Sequence, residues 1–272
     1  MHMRKWLSVS NNIMLSRINR RLRGLLLLMT TCRVLTLPAL TIGVLIMSAL
    51  ATSAVASVIA ERTRIVFSEG STEESLQLVN SNSYPVAVQV WVDDGNLMAT
   101  PDKAVSPILV LPPVFRLQPQ AQRSLRLILS GGNKLPADRE SAFWLNIYEI
   151  PPKATPKSGD ESFVTLALRM QYKVFYRPKN LPAPGDILGK ALTFSLERNG
   201  DSALIKVNNP TPYYASFAAL TIGSAEGPPE MVAPFSRLDF PLNRAPISDN
   251  KTVNFDLIDD LGNRNSFSHE LK

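Results

Sequence analysis

The sequence has very little cysteine and histidine. Its one cysteine, Cys32, lies near the N-terminus, and only His269 of its two histidines lies outside the first few residues. A disulfide framework is excluded, and no Cys/His set has the spacing of a metal site. A glycine-rich loop of the kind that cradles phosphates is also absent. We therefore expect no enzymatic activity: no catalytic residues, no metal and no cofactor.

The first 56 residues lack Asp and Glu entirely but carry seven basic residues. An apolar run extends from Val34 to Leu50, and Ala54-Val-Ala56 follows it. A positive region, an apolar core and an Ala-x-Ala end are typical of a secretory signal, so we predict a leader over 1–56 with cleavage before Ser57. The alternative, a retained membrane anchor, is disfavoured because the run barely reaches spanning length. The sequence leaves open whether translation starts at Met1 or Met29.

Removal of this leader changes the charge of the chain. The full sequence has 29 basic and 23 acidic residues, and the remainder has 22 basic residues against the same 23 acidic ones, a net charge of −1. The basic excess therefore belongs to the leader. It gives no reason to expect binding of nucleic acid, and we expect no membrane insertion of the mature chain.

The remaining residues lack helix-period segments and show short alternating strands separated by turn residues. This pattern is typical of antiparallel β-sandwiches. A proline-dense stretch, Leu181-Pro-Ala-Pro-Gly185, interrupts it, as a short, stiff linker would. The sequence therefore predicts an all-β protein with two domains, over 57–178 and 186–272.

One predicted strand, from Phe163 to Pro178, is much longer than the others. Fully extended it would span about 50 Å, whereas a usual strand has about five or six residues. Its alternating apolar face is long enough to serve two partners, so we interpret the strand as one offered to another protein chain. The alternative is ordinary core packing within the first domain. The residues on this face are Val164, Leu166, Leu168 and Met170.

Several short motifs in order give the chain a resemblance to the periplasmic pilus-assembly chaperones of the chaperone–usher pathway (PapD-like proteins). Each motif is weak alone, but the whole set covers nearly all of the mature chain. The motifs are Thr63-Arg-Ile-Val-Phe67, Pro112-Pro-Val-Phe-Arg-Leu117, Asp138-Arg-Glu-Ser141, Phe143-Trp-Leu-Asn146, Ile150-Pro-Pro152, Lys173-Val-Phe-Tyr-Arg-Pro178 and Asn209-Pro-Thr-Pro-Tyr-Tyr214.

The resemblance implies two immunoglobulin-like β-sandwich domains arranged as an L, with a cleft between them. It also implies a periplasmic protein that binds, folds and caps pilin subunits and delivers them to an outer-membrane usher. A pilin subunit of this kind lacks one strand of its sandwich, and the long strand would fill the gap by donor-strand complementation, an example of β-augmentation. Whether the free protein caps its own donor strand by dimerising is left open.

The resemblance also assigns two sets of charged residues. Arg64 and Lys173 match a cleft pair that anchors the C-terminal carboxylate of the subunit; the alternative is a pair of surface charges. Glu140, Arg177 and Asp260 match an interdomain charge network that fixes the angle between domains; the alternative is a solvent-exposed triple, and the adjacent Asp259 competes with Asp260 for the role.

Two further points rest on comparison with this family. The loop before the long strand lacks the cysteine pair of the long-loop group, which favours the short-loop type. The segment Ile108-Leu-Val-Leu111, with Pro112 and Pro113, resembles a patch that guards the empty donor strand and contacts the usher. The competing function is an exported immunoglobulin-like adhesion or carbohydrate-binding module; its aromatic residues would cluster on loops, whereas Trp91 and Trp144 fall within predicted strands.

Overall fold

The structure is a computed structural model and describes residues 57–68, 70–130, 135–153, 166–200, 202–246 and 251–272. Three predictions lie outside the described residues: the leader over 1–56, the loop before the long strand beyond residue 153, from which the short-loop type is predicted, and Val164 of the donor strand. Within them, nearly all regular structure is β-strand. The predicted all-β fold of two sandwiches is confirmed.

The described residues of the first sandwich form nine strands in two sheets. One sheet has the order β1-β3-β7-β5 and the other β2-β9-β8-β4-β6. All pairs are antiparallel except β2 with β9. The strands are β1 Val58–Ala60, β2 Arg64–Phe67, β3 Glu73–Asn80, β4 Val86–Asp93, β5 Ile108–Leu111, β6 Val114–Leu117, β7 Gln122–Leu129, β8 Ser141–Ile150 and β9 Leu168–Tyr176.

The core of this sandwich follows from the alternation of its strands. Successive side chains of a strand point to opposite faces, and one face of each strand turns inward. Leu76 and Leu78 of β3 meet Leu125 and Leu127 of β7 in this way, and all four are fully buried. The opposite faces of these strands carry the charged and polar residues.

The proline-flanked segment switches between the two sheets. β5 lies at the edge of one sheet and β6 at the edge of the other, with Pro112 and Pro113 between them. Ile108 and Val110 point into the core, whereas Leu109 and Leu111 are exposed. Proline cannot donate a hydrogen bond to a sheet ladder, so it fits this edge position, as the sequence predicts.

The second sandwich begins with one short helix, α1 Ile187–Ala191, which the sequence pattern does not predict because five residues are too few to show a helical period. Its three-stranded sheet has the order β10-β11-β15; in the other sheet, β13-β12-β16-β17, β14 also pairs with β12. The strands are β10 Thr193–Asn199, β11 Ser202–Asn209, β12 Ala215–Ile222, β13 Ala225–Glu226, β14 Met231–Val232, β15 Ser236–Pro241, β16 Thr252–Ile258 and β17 Arg264–Glu270.

Aromatic packing dominates the core of this second sandwich. Phe194 lies 4.8 Å, between ring centroids, from Phe255, and Phe217 lies 5.2 Å from Phe240. Aromatic pairs at these separations stabilise beyond the area they bury. Both sandwiches therefore have hydrophobic cores of their own.

The described part of the long strand is shorter than the sequence predicts. The strand begins at Leu168 and ends at Tyr176, and Leu166 and Ala167 are not in regular structure. Residues 163–165 lie outside the described part of the chain. Among the described residues, no helix is long and apolar enough to cross a membrane.

Candidate functional site

The exposed edge of β9 is the first component of the site. β8 pairs with β9 along its whole length, but β2 pairs only with residues 173–176. Residues 168–172 therefore have no strand partner on their second edge within the described chain. Unpaired N–H and C=O groups on such an edge are a template for another strand.

The predicted donor residues divide into two groups on this edge. Leu166 is 70% exposed and Leu168 is 39% exposed, and neither belongs to a hydrophobic core formed by the described residues. Met170 is different because it packs against the core of the first sandwich. The described apolar side chains that are free to enter another protein are thus Leu166 and Leu168, and the position of Met170 favours a role in its own domain.

Arg64 and Lys173 lie directly opposite each other in the parallel ladder of β2 and β9. Arg64 is only 6% exposed, and its Nη1 donates a hydrogen bond of 2.8 Å to the carbonyl of Ile258 in the second sandwich. Its guanidinium also lies 5.8 Å from the ring centroid of Phe175. The Nε of Arg64 has no acceptor among the described residues. For Lys173, no hydrogen bond or ion pair is found within that same part of the chain.

Both cations of this pair are perturbed by their surroundings. Burial lowers the pKa of Arg64, although the carboxylates of Asp260 and Asp259 oppose the change. Burial also lowers the pKa of Lys173, and the positive charge of Arg64 lowers it further, against the attraction of Glu230. Two like charges held together and partly desolvated would be relieved by a bound anion. The pair is therefore suited to bind a carboxylate.

A cavity of about 340 Å³ adjoins Arg64 and is lined by residues from both sandwiches. Arg64, Phe175 and Tyr214 form part of its wall, as do Asp260 and Leu261. The rings of Phe175 and Tyr214 pack with their centroids 5.7 Å apart. Aromatic rings beside a guanidinium reduce competition from water on that side, which strengthens a charge-assisted hydrogen bond.

Glu140, Arg177 and Asp260 are in direct contact, as expected from the resemblance. Arg177 Nε lies 2.8 Å from Glu140 Oε1, and Arg177 Nη1 lies 2.7 Å from Asp260 Oδ2. The second Glu140 oxygen accepts a hydrogen bond of 2.8 Å from the amide of Tyr214. Asp259 does not compete, because its carboxylate accepts bonds from Leu261 and Asn263 in its own turn.

The environment of this network keeps Arg177 charged. Burial alone would lower the pKa of Arg177, but hydrogen bonding to Asp260 and the charge of Glu140 raise it above its ordinary value. Burial raises the pKa of Glu140, and the Tyr214 amide and the guanidinium of Arg177 oppose that rise. The Tyr214 amide and Arg177 thus both favour the ionised form of the Glu140 carboxyl. The network joins the residue before β8 and the residue after β9 in the first sandwich to the turn after β16 in the second.

A polar cluster on the other face of β9 is absent from the sequence-based predictions. Arg169 donates to Asn146 Oδ1 at 2.8 Å and to the carbonyl of Leu97 at 2.7 Å, and lies 3.3 Å from Asp93 Oδ2. Its guanidinium also covers the ring of Trp91 at 4.9 Å. The signal that could have revealed the cluster is Asn146, a polar residue within an otherwise apolar stretch of β8. The cluster ties the open half of β9 to β4 and β8.

Comparison with known proteins gives the family of the chain. The profile described as "Pili and flagellar-assembly chaperone, PapD N-terminal domain" matches residues 57–182, and that described as "Pili assembly chaperone PapD, C-terminal domain" matches residues 188–269. The chain belongs to the PapD family of pilus-assembly chaperones. The resemblance seen in the sequence is thereby confirmed, and the adhesion-module alternative is not favoured.

Individual members of the PapD family resemble the chain over most of its length. The chaperone protein FimB/FhaD of Bordetella pertussis is 38% identical over 228 residues, which cover 81% of this chain and 91% of that protein. The crystal structure of the CupB2 chaperone of Pseudomonas aeruginosa has a TM-score of 0.65 at 33% identity, covering 79% of this chain and all of that one. A complex of the Salmonella enterica SafA pilin with the SafB chaperone gives a TM-score of 0.66 at 29% identity, covering 81% of this chain and 99% of that one.

Proposed function

We propose that this chaperone binds pilin subunits by lending them the segment around Leu166 and Leu168 together with the open half of β9. Its Arg64 and Lys173 hold the C-terminal carboxylate of the subunit. The observation that carries the proposal is the juxtaposition, along β9 and the residues just before it, of two exposed leucines, an unpaired strand edge and the cation pair that Lys173 forms with Arg64 of β2. The likeness to SafB, which occurs in complex with a pilin, supports it.

Burial of the donated side chains contributes to capture. Fully burying one exposed aliphatic side chain contributes about 1.5–3 kcal/mol, so Leu166 and Leu168 together contribute at most roughly 3–6 kcal/mol before ordering costs, and Leu168 contributes the smaller part because it is only 39% exposed. The backbone of residues 168–172 adds hydrogen bonds to the edge of the subunit. The anchor fixes the register, and register decides which face of the strand enters the subunit.

The cellular context of the proposal follows from the leader and the family. The chaperone is exported, loses its first 56 residues, and acts in the periplasm. There it passes the subunit to an outer-membrane usher, which contacts the exposed Leu109 and Leu111 of β5. It performs no catalysis in this process, because capture and transfer require only exchange of one strand for another.

Co-expression with a pilin from the same gene cluster tests the function. The unaltered protein is expected to yield a soluble 1:1 complex, and a double Leu166→Asp, Leu168→Asp variant is expected to yield folded chaperone without subunit. Leu109→Asp is the matched control, since it places the same charge on another exposed leucine and should retain capture while reducing transfer to the usher. Normal capture by the double variant would refute the donor-strand assignment.

A further inference from the structure

The carboxylate of Glu149 is buried near the end of β8 and takes no part in the proposed binding site. Glu149 is 3% exposed. One of its oxygens accepts a hydrogen bond of 2.8 Å from Asn82 Nδ2. The other accepts 2.7 Å from the hydroxyl of Ser57 and 2.9 Å from the amide of Val58. No Lys or Arg forms an ion pair with it within the described ranges.

A buried carboxylate without a cation is unfavourable, even when neutral donors satisfy its oxygens. Ser57 lies beside the Glu149 carboxylate, and hydrogen bonds to Ser81 hold the main chain of Ser57 in place. The Ser57 amide donates 2.9 Å to Ser81 Oγ, and Ser81 Oγ donates 2.6 Å to the Ser57 carbonyl. The next residue, Val58, is buried and pairs with Asn80 in β3. The main-chain nitrogen of Ser57 is therefore held by Ser81, in the residue whose hydroxyl donates to Glu149 and one residue before the Val58 amide that does the same.

We propose that removal of the leader between Ala56 and Ser57 supplies the missing cation. In this hydrolysis, the oxygen of water adds to the Ala56 carbonyl carbon and the bond to the Ser57 nitrogen breaks. Ala56 leaves as a carboxylate, and the nitrogen takes up protons to become an α-ammonium group, whose ordinary pKa is about 7.7–8.0. The inference rests on the export proposed above.

The new ammonium differs from the former amide in both charge and hydrogen-bonding capacity. As an amide, the Ser57 nitrogen has one hydrogen, which Ser81 Oγ already accepts. As an ammonium it has three, so two become available to the cluster that contains Glu149. An ionised donor facing a carboxylate makes a bond roughly twice as strong as a neutral one. Processing thus converts a buried carboxylate without a cation into an ion pair and makes the first sandwich more stable.

A double-mutant cycle tests the pair in the full chain, expressed with its complete leader. One change inserts a glycine between Ala56 and Ser57, which retains the cleavage motif but moves the new ammonium outward by one residue. The other is Glu149→Gln, which keeps the shape and removes the charge. Trp91 and Trp144 both lie in the first sandwich, so tryptophan fluorescence during urea unfolding reports its stability. The intact mass of each exported protein gives its N-terminus.

The exported wild-type protein should begin at Ser57. The insertion should lower the folding equilibrium constant about tenfold when Glu149 is present and less than about twofold in the E149Q background. An equal loss in both backgrounds would mean a steric effect and overturn the pair, as would no loss at all. An N-terminus at another residue would also overturn it.

A second measurement does not depend on the folding of E149Q. An amine-specific acylating reagent at pH 7 should modify the α-amine of the wild-type protein about tenfold more slowly than that of the insertion variant, because only the former is held against a carboxylate. Equal rates would overturn the inference. Failure of export would refute the proposed function as well, whereas correct processing without coupling to Glu149 would refute this inference alone.

Discussion

Arg64 and Lys173 face each other across two parallel strands, and the structure gives neither of them an ion-pair partner within the described residues. Arg64 makes one hydrogen bond to the carbonyl of Ile258. Two adjacent, partly buried cations oppose folding slightly, and a carboxylate placed between them would reverse that effect. The arrangement is therefore better explained by a bound anion than by the stability of the free chaperone.

The first prediction separates binding from stability at this pair. Lys173→Met keeps the aliphatic stem but removes the charge, so the free protein should be as stable as the wild type or more stable. Its affinity for a pilin should nevertheless fall at least about tenfold, because a charge-assisted bond is lost. Urea unfolding and titration with a pilin C-terminal peptide measure the two effects.

The matched control for this experiment is Lys179→Met, which removes an exposed lysine just beyond β9. This variant should change neither the free energy of unfolding nor the affinity for the peptide. Equal peptide affinity in wild type and Lys173→Met would show that the carboxylate is bound elsewhere.

The second prediction concerns pH. In the free protein the pKa of Lys173 lies below its ordinary value of 10.5, and a bound carboxylate raises it because it favours the charged form. Below the pKa of Lys173 in the free protein, the contribution of its charge to the affinity is fully present. That contribution is lost as the pH rises through the higher pKa that Lys173 has in the complex. As the pH rises, peptide affinity should begin to decline before the pH reaches 10.5.

Two comparisons check this assignment. The Lys173→Arg variant should show no such decline, because arginine stays charged throughout this range. A peptide with an amidated C-terminus should bind weakly at every pH. A decline that persists unchanged in Lys173→Arg would assign the titration to another group.

Part of the long strand could be predicted from the residues themselves. Alternation predicts Leu166 and Leu168 on one face of a strand, and the described strand begins at Leu168. The same alternation cannot separate Met170 from them, because it does not say which chain covers each side chain. Met170 turns out to pack on its own core.

Contacts between residues distant in the chain are harder to predict. Asp260 lies 83 residues from Arg177, and nothing local distinguishes it from Asp259; only the turn geometry does. Arg169 looks like an ordinary solvent-facing residue of an alternating strand, yet its partner Asp93 is fully buried and 76 positions away. Such pairs follow from sheet register, which is set by the whole fold.

The third prediction addresses the charge network. Arg177→Ala leaves Glu140 buried without a cation and should destabilise the protein by about 3–5 kcal/mol, as removal of one partner of a buried pair does. Asp260→Ala should have a smaller effect, about 1 kcal/mol, because the side chain of Asp260 is one-third exposed. Denaturant unfolding measures both. Equal losses of stability in the two variants would contradict the expectation that leaving Glu140 buried without a cation is the more costly change.

The fourth prediction concerns the cluster that holds the open half of β9. Arg169→Ala removes three hydrogen bonds, to Asn146, Leu97 and buried Asp93, and with the last of them an ion pair. Because Arg169 is one-quarter exposed, the loss should be about 1–3 kcal/mol, below that of a fully buried pair. Amide hydrogen exchange at residues 168–172 should accelerate roughly 5- to 150-fold, since local opening follows that free energy.

Pilin affinity should fall with the same change, because a loosened strand must be ordered again on binding. Arg169→Lys should give an intermediate effect, since lysine keeps the charge but not the planar fork. Gln171→Ala is the matched control on the same face, where a single bond to Asn146 is lost. If Arg169→Ala accelerated exchange but left pilin affinity unchanged, the donor strand would not need to be held in place before capture, and the cluster would serve only the stability of the first sandwich.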